Sequence, residues 1–415
     1  MAGTAFIAHF GCRLNQYEAD GMKAGFLNEG FKITQNVEES DYIVLNTCTV
    51  TNRADAKNRS SIRRYHDLNP RAKIIVTGCY ATTDADVISS MPGVYSVVDN
   101  ARKAIIPALV KNKSTRADGR FGYPYRKRTG NARAYLKIQD GCNKSCSYCK
   151  IPHARGGGVS RNVEETIQEA TNLVSQGFQE IVLTGVNIGW YKNDDVDFYS
   201  LLEKLLNIEG EYYIRLSSIE PGDVTEQLAE LFTHPRMGRF LHVPLQSGSK
   251  EILKKMRRGY TPGHFKSWVE LVKEKVPDIH LGTDIIVGFP SENEPLFRET
   301  LEFKASKAFS NIHIFPFSKR NDTQAVKLIQ EGTLTEINGK VIKERCAQLA
   351  ALKETMASHY IRKTANNAYR AIYQAGEAPR LVTENYVILE AGHIPGLAHG
   401  QMTTVRYDER KNVVL

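Results

Sequence analysis

Three cysteines in one short run, Cys142, Cys146 and Cys149, are the residues in this 415-residue sequence whose type and spacing point most directly to chemistry. Thiolates at this spacing can hold three corners of a cubic iron–sulfur cluster and leave the fourth iron open to an outside ligand. An open iron is a place for chemistry, whereas a cluster with four protein thiolates is better suited to electron transfer. Three thiolates and a water could instead complete a tetrahedral zinc site, so the residue types alone leave zinc open.

A second set of three cysteines, Cys12, Cys48 and Cys79, is spread over the N-terminal part of the chain. Each of them comes just after a short apolar run of the kind that is buried in a parallel sheet. Because ligands of an open α/β sheet bind at the carboxyl ends of its strands, we expect these three side chains to converge. One such cysteine would more often be a packed core residue, but three in register predict a second cluster or metal site.

The segments that must position these cysteines alternate between strand and helix patterns. Residues 1–115 predict an N-terminal parallel-sheet domain, and residues 116–131 predict a basic linker. Residues 132–360 contain six strand patterns that alternate with helix patterns, which indicates an open or partial (β/α) barrel. The first of these strands runs into Cys142, which places that trio at the carboxyl-terminal mouth, where barrel active sites lie. Residues 361–415 predict a small β-barrel.

The predicted strands can be stated by residue range. In the barrel they are 134–138, 180–183, 213–216, 240–243, 279–286 and 311–315. In the C-terminal segment they are 369–373, 381–389 and 402–407, and the whole chain is therefore predicted to be of the α/β class.

The net charge of +9 and the sequence pI of about 9.0 suit a polyanionic partner. Residues 111–133 hold eight Lys or Arg residues against one acidic residue, and a second basic region at 53–73 covers a predicted helix and its exit. A single charge run is usually a solvated face, but two runs that flank cysteine sites favour a nucleic acid. The residues predicted to contact RNA are Arg53, Lys57, Arg63, Arg64, Arg126, Lys127 and Arg128.

No apolar run approaches the length of a bilayer span, and the first residues lack the pattern of a signal peptide. We therefore expect a cytoplasmic protein with no membrane partner. Cysteines in such a chain favour metal or redox chemistry over a disulfide framework. The remaining cysteine, Cys346, is expected to be a packed thiol. His9, His153, His242 and His313 are expected to be structural, since an isolated histidine usually is.

The spacing of the Cys142 trio, with Tyr148 before its third cysteine, resembles the radical S-adenosylmethionine superfamily. The segments FGCRLNQYEAD, NTCTVT and TGCYA, which surround the other trio, are similar to the methylthiotransferase family within it. This resemblance spans essentially the whole chain. It implies a flavodoxin-like N-terminal domain with a second 4Fe-4S cluster, a central partial (β/α)6 radical barrel and a TRAM-like C-terminal β-barrel that binds RNA.

Within this family, the run LKIQDGCNKSCSYCKIPHARG, followed by Ser160 and Arg161, looks most like the MtaB branch. That branch adds a methylthio group to C2 of N6-threonylcarbamoyladenosine, next to the anticodon in tRNA. The branches that act on isopentenyladenosine in tRNA or on a ribosomal-protein aspartate stay as alternatives. The aspartate-modifying branch usually has an aspartate where this chain has Asn143. A non-catalytic iron–sulfur RNA-binding protein is a more distant alternative, because it leaves the open trio unexplained.

The resemblance also implies the cofactors and partners. They are two 4Fe-4S clusters, S-adenosylmethionine as methyl donor and radical source, a tRNA anticodon stem-loop and an external electron donor. The N-terminal cluster is implied to carry the added sulfur. The radical that S-adenosylmethionine provides abstracts a hydrogen that acid–base side chains cannot remove, so no general base is assigned to that step.

The resemblance places a further group of residues near the cofactor. They are Tyr148, Gly185, Asn187, Ser217, Ser218, Gln246, Ile286, Val287 and Gly288. Simpler interpretations remain for several of them. Gly185 could serve only a tight turn, the two serines could be surface turn residues, and residues 286–288 could be a plain core strand.

Overall fold

The computed structural model consists of a parallel sheet, a partial barrel and an antiparallel sheet in chain order. The structure describes residues 3–113, 119–124, 130–303 and 309–414. Three residues predicted to contact RNA, Arg126, Lys127 and Arg128, lie outside the described residues. No helix in the described part of the chain has both the length and the apolar character that a membrane span requires.

The N-terminal sheet has five parallel strands in the order β2-β1-β3-β4-β5. This is the flavodoxin-like order, in which ligands bind where the strand order reverses. Its strands are β1 (Thr4–His9), β2 (Lys32–Ile33), β3 (Tyr42–Thr47), β4 (Lys73–Gly78) and β5 (Val94–Val98). Its helices are α1 (Arg13–Asn28), α2 (Asn52–Leu68), α3 (Cys79–Thr83), α4 (Ala85–Ser89) and α5 (Ile106–Val110). Strands β3 and β4 are almost wholly buried, as a sheet covered by helices requires.

Six parallel strands form the partial barrel. They make two three-stranded sheets, β6-β9-β12 and β13-β14-β15, and two parallel bridges, Ile214–Met237 and Ser218–His242, join the sheets. The strands of this region are β6 (Ala134–Lys137), β7 (Gln139–Asp140), β8 (Val159–Ser160), β9 (Glu180–Thr184), β10 (Lys192–Asn193), β11 (Val196–Asp197), β12 (Tyr213–Leu216), β13 (Phe240–His242), β14 (His280–Val287) and β15 (Asn311–Pro316). The helices are α6 (Ile151–Arg155), α7 (Val163–Ser175), α8 (Phe198–Leu206), α9 (Glu226–Leu231), α10 (Lys250–Lys255), α11 (Pro262–Lys275), α12 (Glu294–Glu302), α13 (Gln324–Gln330) and α14 (Gly339–Thr364).

The C-terminal sheet is antiparallel, with the order β18-β17-β16-β19-β20. Its strands are β16 (Tyr369–Gln374), β17 (Arg380–Thr383), β18 (Ile388–Glu390), β19 (Met402–Tyr407) and β20 (Val413–Val414). The prediction of one strand over 381–389 was wrong, because a turn separates β17 from β18. The Thr383 hydroxyl donates a hydrogen bond to Asn385 Oδ1 and accepts one from the backbone N–H of Val387 at 2.9 Å. These two hydrogen bonds close the turn.

Both flanking units pack against the barrel. Tyr17 of α1 shares a buried cluster with Tyr135 of β6 and Val182 of β9. From the C-terminal sheet, Tyr386 packs on Phe240 at the start of β13, with ring centroids 4.6 Å apart. The barrel is therefore held between the N-terminal domain at its β6 side and the C-terminal sheet at the amino end of its strands.

Candidate active site

The structure brings the N-terminal trio together at the carboxyl edge of its sheet. Cys12 precedes α1, Cys48 follows β3 and Cys79 begins α3. Gly11 has φ +91°, and a Cβ placed there would lie 2.5 Å from the Cβ of Cys48, so the backbone beside Cys12 rests on Cys48. Burial, with a contribution from the neighbouring Cys12 and Cys79, raises the pKa of Cys48 to about 12.

One amide side chain ties two of these cysteine segments together. Asn15 Nδ2 donates hydrogen bonds to Phe10 O at 2.8 Å and to Thr47 O at 3.0 Å. These carbonyls lie shortly before Cys12 and directly before Cys48 in the sequence. Asn15 therefore fixes the spacing between two of the three thiols.

The second trio lies just beyond β7, at the mouth of the barrel. Cys142 Sγ accepts a hydrogen bond from the Lys144 amide at 3.4 Å, and Cys146 Sγ accepts one from Arg258 Nη1 at 3.3 Å. Burial raises the pKa of Cys149 to about 12. Amide and guanidinium donors stabilise thiolates, which are the form that binds iron. Arg258 was not predicted from the sequence, because it lies more than a hundred residues further along the chain.

Each cysteine trio supplies three thiols, which can bind three different irons of a cubic cluster. Among the described residues, His242, Asp284 and His313 form a separate group, in which the ligand atoms all lie within 4.8 Å of one another.

Helix α6 connects the two trios. It begins two residues after Cys149 and ends at Arg155. Asn100 Nδ2 donates a hydrogen bond to Ala154 O at 2.6 Å and lies 3.7 Å from Cys79 Sγ. A helix of five residues is only about 7.5 Å long, so the two trios lie near its opposite ends. A single substrate group can therefore lie within reach of both.

Two of the residues predicted to bind the cofactor carry unsatisfied polar atoms. Both side-chain amide atoms of Asn187 and the hydroxyl of Ser217 are buried and have no hydrogen-bond partner among the described residues. Buried polar atoms are normally paired, so these atoms indicate a ligand. Gln139 was not predicted from the sequence. Its side-chain oxygen accepts a hydrogen bond from the backbone N–H of Asn187 at 2.8 Å, which holds the Asn187 loop in place. A Cβ at Gly185 would lie 2.9 Å from Gln139 O, so close backbone packing accounts for that glycine.

Other predicted cofactor residues line the end of β14. Tyr148 and Ile286 are both partly buried in one hydrophobic cluster. Gly288 has φ +74° and its amide donates a hydrogen bond to Glu292 at 2.7 Å. Val287 is wholly buried in the main core between strands and helices, so only its backbone could face the cofactor. Gln246, with φ +68°, forms a parallel bridge with β14.

The structure also shows a polar group that was not expected. His242 Nε2 lies 3.1 Å, and His313 Nδ1 lies 3.3 Å, from the same carboxylate oxygen of Asp284. Burial favours a higher pKa for Asp284, but the two adjacent histidines outweigh it and lower the pKa to about 2. Ser218, predicted to bind the cofactor, lies 2.7 Å from His242 Nδ1. Asp284 lies two residues before Ile286 in β14, so the period of a strand could have placed both on one face.

The basic residues of α2 are exposed to solvent. Arg53, Lys57 and Arg64 lie on one stripe of the helix because their spacing is four and seven residues, and Arg63 is next to them. Helix α2 begins four residues after Cys48, so this basic surface starts beside the N-terminal trio. We refer to these four exposed residues as the α2 basic face.

Sequence comparisons extend these findings. Residues 4–99 match the uncharacterized protein family UPF0004, and residues 136–303 match the radical SAM superfamily. Two relatives are named threonylcarbamoyladenosine tRNA methylthiotransferase MtaB, from Bacillus subtilis (strain 168) and Aquifex aeolicus (strain VF5). They are 37% and 34% identical to this chain. The alignments cover 90% and 91% of this chain, and 85% and 94% of those relatives.

The chain belongs to the radical S-adenosylmethionine methylthiotransferase family. It is therefore an enzyme of this class, and members of the family use S-adenosylmethionine and two 4Fe-4S clusters. The two cysteine trios are the residues that fit those clusters. A radical S-adenosylmethionine methyltransferase, TsrM, from Kitasatospora setae has a similar fold, with a TM-score of 0.58 and 15% identity. That similarity covers 80% of this chain and 78% of TsrM.

Proposed function

We propose that this enzyme converts N6-threonylcarbamoyladenosine next to the anticodon of tRNA to its 2-methylthio derivative. The observation that carries the proposal is the pair of cysteine trios at opposite ends of the short helix α6. Methylthiolation of an aromatic carbon requires a radical source and a sulfur source at one substrate atom. Relatives named for activity on threonylcarbamoyladenosine, at up to 37% identity, support this choice of base.

Each cysteine trio would bind one of the two clusters. Cys142, Cys146 and Cys149 would hold the cluster with the open iron, and the N-terminal trio would hold the cluster that carries sulfur. When bound, S-adenosylmethionine supplies the methyl group and the radical chemistry that no side chain can supply. Asn187 and Ser217 have buried polar atoms with no hydrogen-bond partner in the described part of the chain, and these atoms would orient it.

The α2 basic face would bind the phosphates of the anticodon stem-loop. Sequence-specific RNA recognition targets single-stranded loops, whose bases can be splayed out, while Lys and Arg contacts to phosphates set the position. In this proposal the enzyme works in the cytoplasm and takes electrons from an external donor.

Mass spectrometry of tRNA nucleosides tests the assignment. We expect a strain that lacks this chain to lose 2-methylthio-N6-threonylcarbamoyladenosine and to accumulate the unmodified parent nucleoside. The wild-type gene should restore the modified nucleoside, and a Cys142→Ala variant should not. Loss of the methylthio isopentenyl nucleoside instead would overturn the choice of base. If neither nucleoside changed, a protein substrate would replace tRNA in the proposal.

A related enzyme supports keeping the isopentenyl outcome in this test. A tRNA-2-methylthio-N(6)-dimethylallyladenosine synthase from Hydrogenobaculum sp. (strain Y04AAS1) is 31% identical to the chain. The alignment covers 89% of this chain and 88% of that synthase. This identity is lower than the 37% and 34% of the Bacillus subtilis and Aquifex aeolicus relatives, which are named for threonylcarbamoyladenosine, so this substrate stands second.

A further inference from the structure

A network of five buried charges lies where the N-terminal domain meets the barrel. Glu18 of α1 lies 2.5 Å from Lys103 Nζ, 2.9 Å from Lys137 Nζ and 3.0 Å from Arg155 Nη1. Asp140 lies 2.6 Å from Lys137 Nζ and 2.9 Å from Arg155 Nη1. None of the five side chains is more than 2% exposed. The network therefore consists of three cations and two carboxylates in an environment without solvent.

Such an arrangement is costly for stability alone. Removing charged groups from water carries a large desolvation penalty for each ion, and well-packed apolar side chains often stabilise a fold as well or better. Among the described residues, the network has one more cation than it has carboxylates. An excess of buried positive charge calls for a further anion nearby.

The N-terminal trio supplies the candidate for that anion. Burial alone would lower the pKa of Arg155, but Cys79, Glu18 and Asp140 together raise it well above its usual value. Arg155 Nη2 also donates a hydrogen bond to Asn15 Oδ1 at 2.7 Å, and Asn15 is the residue that ties the Cys12 and Cys48 segments. Arg155 thus contacts the scaffold of the trio and interacts electrostatically with one of its thiols.

We propose that Arg155, assisted by Lys103, is the counter-charge of the N-terminal cluster and raises its reduction potential. A cubic cluster held by three thiolates is anionic, and reduction by one electron adds a further negative charge to it. A nearby buried cation stabilises the reduced form more than the oxidised form, because the attraction grows with the charge of the cluster. Cluster potentials depend on net charge and hydrogen bonding around the sulfurs. Arg155 also ends the helix that begins after Cys149, so the barrel supplies this charge to the N-terminal domain.

The test measures the midpoint potential of the N-terminal cluster alone. The full chain carrying Cys142→Ala, Cys146→Ala and Cys149→Ala retains only that cluster, and its iron content is checked first. Redox titration with dithionite, followed by electron paramagnetic resonance, then gives the potential. Arg155→Gln and Lys103→Met should each shift it to more negative values, with the larger shift for Arg155→Gln. Glu18→Gln should shift it to more positive values, and Arg155→Lys should leave it near the starting value.

Opposite signs for the cation and carboxylate variants separate this role from a structural one. A residue that only supported the fold would lower the melting temperature or the iron content without moving the potential in two directions. If Arg155→Gln retained no cluster, Lys103→Met and Glu18→Gln would decide the matter between them. Unchanged potentials in those variants would overturn the proposal. In a Cys48→Ala background, Arg155→Gln should shift the potential of the remaining cluster less.

Discussion

Six of the seven cysteines lie in the two trios, while Cys346 is packed on α14 against the main core. We therefore expect about eight irons per chain after anaerobic reconstitution, since each cubic cluster contains four. Cys48→Ala and Cys146→Ala should each reduce this to about four, because each removes one cluster ligand. Cys346→Ala is the matched control and should keep the full content. Iron and acid-labile sulfide assays make the measurement, and stoichiometric zinc in place of iron would contradict the assignment.

The turn between β17 and β18 connects the C-terminal sheet to the rest of the molecule. Tyr386 in this turn packs on Phe240 and lies under the Arg215 guanidinium, which is 4.8 Å from its ring centroid. Tyr386→Ala should cost about 2 kcal/mol, since it removes aromatic packing and cation–π contacts. The melting temperature should fall accordingly. Ile388→Ala, two residues further on and 47% exposed in the wild type, should change stability by no more than about 0.5 kcal/mol. Equal melting temperatures for the two variants would show that the turn does not hold the units together.

At the scale of elements, the features that depend on local sequence pattern could be predicted from the sequence. The features that depend on packing between distant segments could not. The parallel sheet was predictable because short apolar runs precede Cys12, Cys48 and Cys79, and the residues just after parallel strands gather at one edge of the sheet. The Arg155 network could not be predicted, since its members come from α1, the turn before α5, β6, β7 and α6, and no periodicity connects them. For the same reason, His242 and His313 were expected to be isolated. The split of the predicted 381–389 strand depends on side-chain hydrogen bonds that a hydrophobic pattern does not show.

The whole molecule places its chemistry between units rather than within one. The N-terminal domain contributes one cysteine trio and Glu18, and the barrel contributes the other trio and Arg155. The C-terminal sheet reaches the same region indirectly, since Tyr386 accepts a hydrogen bond at 3.0 Å from Arg13, the residue after Cys12. A change in how one unit packs would therefore alter the active site as well as stability.

The position of the α2 basic face beside the N-terminal trio leads to a prediction about the whole complex with RNA. Arg63→Glu combined with Arg64→Glu should weaken tRNA affinity roughly tenfold at low salt, because two exposed phosphate contacts become repulsive. The plot of log affinity against log salt concentration should become shallower by about 1.5, as fewer counterions are released on binding. Fluorescence anisotropy with a labelled anticodon stem-loop over a range of salt concentrations measures both quantities.

The matched control is Lys204→Glu combined with Lys275→Glu, which makes the same change in net charge. Those lysines lie near the carboxyl ends of α8 and α11, at the face of the barrel opposite its mouth. An equal loss of affinity in both double variants would show that only the net charge of the protein matters. Unchanged binding by the Arg63→Glu, Arg64→Glu variant would show that α2 does not contact the RNA.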